Sequence, residues 1–246
     1  MGRDSIAQRR ADVTRRVHAL LRAELVAGTF DGDMLPTEEE LRAEFGASRS
    51  SIRDALALLR KEGLIDRLQG VGTLATGSRL TLSLHELHGV EDPAPDGIWA
   101  GRMRTRILDW RDVPAASAVA RGLSAEIGEQ VLRIDYVALL GDEVLGGATN
   151  YMRYPEASVL QPEMLRADWY AMLESAGLVV GESTFLIEAA ISDDHDAELF
   201  GMGLGLPMML MEQVIYDPDG RAFDFAFLRT RGDSTSTFSR ARRGPA

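Results

Sequence analysis

The sequence predicts an α+β protein in two parts, with a small helical domain followed by a larger domain built on an antiparallel sheet. Two observations carry this prediction. Residues 9–62 place apolar groups at helical spacing in three segments that glycines end. Residues 99–246 are dominated by strand-like alternation and tight turns. We therefore predict domains over residues 1–80 and 99–246, joined by a linker over residues 81–98.

Composition excludes several classes of protein. The 246 residues are 45% hydrophobic and 26% charged, as is usual for a globular protein. Without cysteine the chain has no disulfide, no thiolate metal site and no cysteine nucleophile. It lacks an apolar run of about 18 residues, and its N-terminus lacks the apolar segment of a signal peptide. We therefore expect a cytoplasmic protein with no membrane partner.

Charge is distributed unevenly along the chain. Residues 1–80 hold 13 basic and 12 acidic side chains, whereas the remainder carries a net charge of −12. Nearly half of the basic groups thus lie in the first third of a chain whose total charge is −11. Such asymmetry is a weak indication of a nucleic-acid-binding module joined to a different domain.

The N-terminal third shows three helices with recognisable ends. Gly28 ends the first helix, and Thr37 with Glu40 forms the Thr-x-x-Glu capping box of the second. Ser48 is a candidate N-cap for the third helix, which Gly63 ends. The stretch "LIDRLQGVGTLAT" then alternates around glycines, as in a β-hairpin. The predicted helices cover residues 9–28, 38–45 and 49–62.

The start of the third helix, in "GASRSSIRDALALLRKEGLI", is unusual for a core helix. Arg49 and Arg53 lie one turn apart, among the hydroxyls of Ser48, Ser50 and Ser51. A helix N-terminus attracts phosphate, serines donate to it, and arginine also pairs bidentately with guanine. The alternative is that both arginines are merely solvated surface groups.

Three helices followed by a hairpin form a winged helix-turn-helix, in which the third helix enters the major groove. The glycine-rich hairpin tip is the wing, whose backbone can approach the duplex closely. This combination favours DNA binding over a solvated face. The predicted DNA contacts are Thr37, Ser48, Arg49, Ser50, Ser51, Arg53, Gly70, Gly72 and Thr73.

Residues 13–76, and above all "DGDMLPTEEELRAEFGASRSSIRDALALLRKEGLIDRLQGVGTLAT", resemble the DNA-binding domain of the GntR family of bacterial transcription regulators. The resemblance places Arg49, Ser51 and Arg53 on recognition-helix positions. At Glu39 the family commonly has arginine, so the repulsion of phosphate is expected to weaken that contact. Affinity would then depend more on the recognition arginines and on four N-terminal arginines. These four are Arg9, Arg10, Arg15 and Arg16.

Residues 99–246 show alternating strands and three short helices. Strands are predicted in "RMRTRILDW", on both sides of Gly141–Asp142, in "GESTFLIEAAIS" and on both sides of Asp217–Gly220. Helices are predicted in "PAASAVARGLS", in "ADWYAMLESAG" and in "DDHDAELFGM", with Ser192 as the N-cap of the last. The preceding stretch, "HELHGVEDPAPDGI", is expected to be a solvated linker. Its His85, Glu86 and His88 are too few for a closed metal site, and we predict no metal and no cofactor.

This order of elements resembles the effector-binding UTRA domain of the HutC subgroup of GntR regulators, whose fold is similar to chorismate lyase. The supporting landmarks include Asp168-Trp169-Tyr170, Leu206-Pro207 and the terminal Arg231-Gly232-Asp233. The resemblance implies a small-molecule pocket between the sheet and a helix. Sugar-phosphate-sensing relatives hold their ligand with arginines and a glutamate. The corresponding positions here are Tyr136, Ala138 and Ala148.

Because these three positions lack an anion-binding group, the expected effector is not phosphorylated, and is neutral or cationic and partly apolar. By resemblance, Asp224 and Thr230 keep the polar positions of the last long strand. Aromatic candidates are equally consistent with a role in the core. The predicted effector-binding residues are Tyr136, Asn150, Tyr151, Trp169, Tyr170, Asp224 and Thr230.

The favoured function is a homodimeric repressor that a small effector releases from a near-palindromic operator in double-stranded DNA. A constitutive DNA-binding protein with a degenerate sensor remains an alternative, as does a vestigial enzyme fused to a helix-turn-helix. "GMGLG", at residues 201–205, resembles a phosphate loop. It follows a helix and precedes a strand, the reverse of a dinucleotide-binding loop. We predict no enzymatic activity.

Overall fold

The computed structural model describes residues 3–30, 34–68, 72–76, 80–84, 103–166 and 168–239. The chain divides into two compact units, Met1–Leu80 and Thr81–Ala246, which are described separately below. The predicted linker residues 85–98, with His85, Glu86 and His88, lie outside the described residues.

The described residues of the N-terminal unit form three helices and a two-stranded antiparallel sheet, as predicted. Its core is formed by apolar side chains from all three helices and the first strand, among them the fully buried Leu21, Leu41, Ile52 and Leu59. The elements are α1 (Arg3–Ala27), α2 (Glu38–Phe45), α3 (Arg49–Lys61), β1 (Ile65–Leu68) and β2 (Gly72–Ala75).

The predicted caps account for where α2 and α3 begin and end. Thr37 accepts a hydrogen bond from the Glu40 backbone, and the Glu40 carboxylate accepts one from the Thr37 backbone, which completes the capping box. Ser48 accepts from the Ser51 backbone at the start of α3. Gly46 ends α2 in the left-handed region, with φ of 57°, where a Cβ would be strained.

The second unit contains a six-stranded antiparallel sheet in the order β4-β5-β6-β9-β8-β7. Among its described residues it also has a short ribbon, β3 with β10, and two 3₁₀ helices at 156–159 and 162–164, and neither feature was predicted. The elements, in chain order, are β3 (Leu80–Ser83), β4 (Met103–Pro114), α4 (Ser117–Leu123), β5 (Gln130–Leu140), β6 (Glu143–Arg153), α5 (Trp169–Ser175), β7 (Glu182–Ile191), α6 (Asp194–Phe200), β8 (Pro207–Tyr216), β9 (Ala222–Arg231) and β10 (Thr235–Phe238).

The large sheet has two faces, because side chains alternate along each strand and partners across strands share a face. On the first face, which we call the α5 face, Trp169, Met172 and Leu173 of α5 pack against strand residues such as Ile134 and Met152. On the second face, the α4/α6 face, α4 packs against Val131 and Phe225, while Phe200 of α6 packs near Met208.

One predicted cap is wrong. Ser192 does not cap α6; Asp193 does, in a capping box with Asp196. The Ser192 hydroxyl instead donates to the Gly203 carbonyl at 2.8 Å and accepts from the Leu206 backbone at 2.9 Å. It thereby closes the loop before β8, and an aspartate in the next position serves the helix start equally well.

Candidate functional site

The first candidate surface lies where α2, α3 and the hairpin meet in the N-terminal unit. A groove of about 910 Å³ opens there, lined by charged side chains of both signs and by hairpin residues next to the turn. Arg49 and Arg53, on the first two turns of α3, face it with 66% and 56% of their side chains exposed. The groove is lined by Met34, Leu35, Pro36, Thr37, Glu38, Glu39, Glu40, Glu44, Arg49, Arg53, Leu56, Arg67, Gly72 and Thr73.

Both arginines contact one carboxylate. Glu38 Oε2 accepts from Arg53 Nε at 2.9 Å and from Arg49 Nε at 3.4 Å. Partial desolvation alone would raise the pKa of Glu38, but the hydrogen bonds and charges of Arg53 and Arg49 outweigh it and hold that pKa below its usual value. Glu38 was not among the predicted site residues. The signal available in the sequence was its place in the first turn of α2, directly after the N-cap.

The three serines do not play equivalent roles. Ser48 is exposed at the start of α3, and its hydroxyl lies 2.9 Å from those of Ser50 and Ser51. Ser51 is only 2% exposed, which contradicts its predicted phosphate contact. At the third position of this helix the Ser51 backbone N–H donates to the Ser48 hydroxyl at 3.1 Å, and the Ser51 hydroxyl also lies against Ser48.

The remaining predicted DNA contacts lie around the same groove. Thr37 is exposed, but its hydroxyl donates to the Glu40 carboxylate at 2.7 Å. The hydroxyl proton is therefore engaged within the capping box and is not free to bind a phosphate. Gly72 and Thr73 are partly exposed, and the Thr73 carbonyl accepts from the Leu35 backbone at 2.9 Å. Gly70 lies outside the described residues.

Glu39 lines the same groove, whereas no described basic side chain of α1 is among the lining residues. Glu39 has 80% of its side chain exposed and pairs with Arg42 at 2.7 Å. Arg10 pairs with Asp54 of α3 at 2.6 Å. Arg15 and Arg16 are exposed, while the Arg9 side chain lies outside the described residues.

The second candidate site lies on the α5 face of the sheet. The Asp224 carboxylate, fully buried, accepts from Asn150 Nδ2 at 2.8 and 3.1 Å and from Trp169 Nε1 at 2.8 Å. The Trp169 indole stacks on the Tyr136 ring with a centroid distance of 5.7 Å. Tyr170 accepts a hydrogen bond from Gln213 Nε2. Five predicted residues therefore meet in one cluster.

Burial dominates the electrostatics of this cluster. It raises the pKa of the Asp224 carboxyl to about 7, although hydrogen bonds from Asn150 and Trp169 act in the opposite direction. Burial likewise raises the pKa of the Tyr136 hydroxyl. Asn150 Oδ1 is buried without a hydrogen-bond partner among the described residues. Since Asp224 is saturated by donors of its own chain, a direct contact between its carboxylate and an effector is not supported.

Two predicted effector residues do not join the cluster. Tyr151 is adjacent to Asn150 in β6 and therefore points to the opposite face, where it packs against the α4 core. Thr230 shares the face of Asp224 but lies six residues further along β9, about 20 Å away. Its Oγ1 is buried and unpartnered among the described residues. A single pocket formed by all seven predicted residues is therefore wrong.

The α5 face carries no basic side chain on any of its six described strands. Tyr136 pairs with Ala148, and Ala138 with Gly146, so the three positions that lack anion-binding groups are neighbours. The sheet arginines for which the register fixes a side, including Arg133 and Arg229, lie on the opposite face. Gln213 was not predicted as a site residue. Nothing in the sequence alone distinguishes this glutamine from one on the surface.

The described residues offer little for a metal-dependent or membrane-spanning function. Among the described residues, no group of three or more His, Asp or Glu is arranged to hold a metal ion. No described helix is both long and apolar enough to cross a membrane. Residues 201–205 lie between α6 and β8, so the helix-loop-strand order predicted for "GMGLG" is confirmed.

Comparison with known proteins matches both units to families. Residues 100–236 match the UTRA domain, and residues 13–74 match the bacterial regulatory proteins of the gntR family. The HTH-type transcriptional repressor PhnF of Mycolicibacterium smegmatis is 28% identical over 222 residues, which are 88% of each chain. The HTH-type transcriptional repressor NagR of Bacillus subtilis is 26% identical over 216 residues, 87% of this chain and 88% of NagR.

Solved structures of known regulators resemble this chain as well. The crystal structure of PhnF from Mycobacterium smegmatis superposes with a TM-score of 0.62 at 25% identity, covering 93% of this chain and all of PhnF. YydK from Bacillus subtilis, at 19% identity and a TM-score of 0.58, shares the fold. With a UTRA match over more than half of its length and a gntR-type helix-turn-helix before it, the chain belongs to the UTRA-domain family of gntR-type transcriptional regulators.

Proposed function

We propose that this regulator is a homodimeric repressor that binds a near-palindromic operator through α3 and the β1–β2 hairpin, and that a small effector bound to the UTRA unit releases it. The observation that carries the proposal is the exposure of Arg49 and Arg53 at the start of α3, beside the hairpin. This is the end of the helix that enters the major groove in winged helix-turn-helix proteins. PhnF and NagR, both named repressors, support the direction of control.

The proposed effector is neutral or cationic and carries no phosphate. The support is the absence of arginine and lysine from the described strands of the α5 face. A phosphate ester without a cationic partner there would lose its hydration without compensation. Tyr136 and Tyr170, both partly exposed, are the proposed aromatic contacts.

A constitutive repressor is the second candidate. It is favoured by the network of Asp224, Asn150 and Trp169, in which the buried carboxylate already accepts hydrogen bonds from two side chains of the same chain. A catalytic role has no support from the relatives, which are named as regulators.

The test begins with selection of duplexes from a random library by the full-length protein. Neutral sugars, amines, amino acids and sugar phosphates are then screened by thermal shift, and compounds that stabilise the protein are added to the complex with the selected duplex. The proposal expects release by an unphosphorylated compound. Release by sugar phosphates alone would contradict the proposed effector class, and a complex that no compound dissociates would favour the constitutive repressor.

A further inference from the structure

We infer that Glu38 is a positioning residue for DNA recognition: its carboxylate aligns the guanidinium groups of Arg49 and Arg53 for contact with bases. The inference rests on the proposed function, because it concerns the specificity of the same DNA-binding surface. Glu38 itself is not proposed to touch a base.

The geometry places the carboxylate beneath the two cations. Glu38 has 24% of its side chain exposed, against 56% for Arg53 and 66% for Arg49. Both bonds use the Nε atom of the arginine, at 2.9 and 3.4 Å. Among the described residues, neither arginine shows another hydrogen bond, so the terminal nitrogens of both remain for outside acceptors.

Those terminal nitrogens can donate hydrogen bonds to the two acceptors on the major-groove edge of guanine. An arginine side chain has many rotamers, and holding its Nε selects among them before DNA arrives. The entropy cost of ordering the side chain on binding is then smaller. The carboxylate also offsets the repulsion between two like charges one helical turn apart.

The position of Glu38 is itself well determined. It is the first residue of α2 after the Thr37 N-cap, whose capping box with Glu40 fixes the start of the helix. The buried Leu41 of α2 and Ile52 of α3 belong to the same core. The carboxylate is thus attached to a rigid element, as positioning requires.

A competing role has the opposite consequence. A carboxylate beside the DNA-facing arginines could simply neutralise them and repel phosphate. Removing it would then strengthen binding to every duplex, whereas loss of positioning weakens binding to the preferred sequence in particular.

The experiment compares the full-length protein with Glu38→Ala, Glu38→Asp and, as the matched control, Glu44→Ala. Glu44 lines the same groove, and no contact between it and the two arginines is found in the described part of the chain. Fluorescence anisotropy measures the dissociation constants for a duplex selected by the wild-type protein and for a scrambled duplex of equal length. Their ratio is the specificity, and circular dichroism checks that each variant is folded.

Positioning predicts that Glu38→Ala lowers the specificity ratio roughly tenfold or more, as expected when arginine–guanine pairs are misaligned. Glu38→Asp, which keeps the charge but shortens the reach, should also lower it. Glu44→Ala should strengthen binding to both duplexes by a similar factor and leave the ratio unchanged. In an Arg49→Ala, Arg53→Ala background, Glu38→Ala should have little further effect on the ratio.

Two results would overturn the inference. A rise in affinity for both duplexes in Glu38→Ala, with an unchanged ratio and a normal Glu38→Asp, would make Glu38 a competitor of DNA. Specificity ratios equal to that of the wild type in both Glu38 variants would show that Glu38 has no role in recognition. If the wild-type protein enriches no sequence from the library, the proposed function fails instead, and the two failures are thereby distinguished.

Discussion

At the scale of single residues, Asp224 couples protonation to stability. Its pKa is raised to about 7 by burial, so the folded protein holds a proton that the unfolded chain loses near pH 4. The free energy of unfolding should therefore fall as the pH rises from about 4 to about 7 and level off above it. The total loss should be up to about 4 kcal/mol.

Replacement of this carboxyl tests the coupling. Asp224→Asn mimics the neutral acid and should flatten the fall in stability between pH 4 and 7, as measured by urea unfolding at a series of pH values. Asp142→Asn is the control, because it makes the same replacement at a fully solvent-exposed aspartate. An Asp224→Asn profile as steep as that of the wild type would contradict the raised pKa.

Glu39 is a second residue with a measurable electrostatic effect. Its exposed carboxylate stands where the GntR family commonly has arginine. Glu39→Arg should strengthen binding to any duplex and steepen the dependence of log affinity on log salt by up to about one unit. Anisotropy titrations at several salt concentrations measure this slope, with Glu39→Gln as the control that removes the charge only. An unchanged slope in Glu39→Arg would show that position 39 faces away from the duplex.

At the scale of elements, the contact between α4 and β9 depends on a glycine in the last turn of α4. A Cβ added to Gly122 would lie 2.6 Å from Cδ2 of the Phe225 ring. Without that contact, alanine would favour the helix by about 1 kcal/mol.

Whether Gly122→Ala lowers or raises the free energy of unfolding therefore shows which effect is larger, the clash with Phe225 or the higher helix propensity of alanine. Gly122→Ala should destabilise the UTRA unit by about 1–3 kcal/mol through overpacking, measured by thermal or urea unfolding. Adding Phe225→Leu should recover part of the loss, since the double variant relieves the clash. A stabilised Gly122→Ala would mean that α4 can shift away from the sheet at no cost.

At the scale of the whole molecule, specificity must overcome an unfavourable net charge. The chain carries −11 in total, while its first 80 residues are close to neutral, so long-range attraction to DNA is weak. In the proposed homodimer, binding to two half-sites at once would compensate for this weakness, because the second contact is made within one complex.

A homodimer on a two-fold operator has a defined stoichiometry. Two chains should bind a duplex that contains both half-sites about 10 base pairs apart or a multiple of this spacing, and a duplex with one half-site should bind far more weakly. Sedimentation with labelled duplexes measures both quantities. One chain per full duplex, with equal affinity for the half-site, would contradict the dimer.

The effector also acts at this scale, through linkage. A ligand changes operator affinity only if it binds the DNA-bound and free states unequally, and DNA must then change ligand affinity by the same factor. Equal coupling factors in both directions are the expected result for any compound found in the screen.

Local sequence patterns determined much of this protein. The bounds of α2 and α3, and the strands on either side of Gly141–Asp142, were predicted and are confirmed. Caps, glycines with positive φ and apolar spacing act within a few residues of the chain, so a single sequence displays them.

Only the tertiary structure decided how distant residues meet. Alternation along β6 separates Tyr151 from Asn150, and strand pairing brings Asp224, 74 residues away, against Asn150 instead. The burial of Ser51 and the contact of Glu38 with two arginines of the next helix likewise follow from packing. These contacts join residues distant in the chain and depend on which face of an element is covered. Hydrophobic periodicity within one element carries no information on its partner across the core.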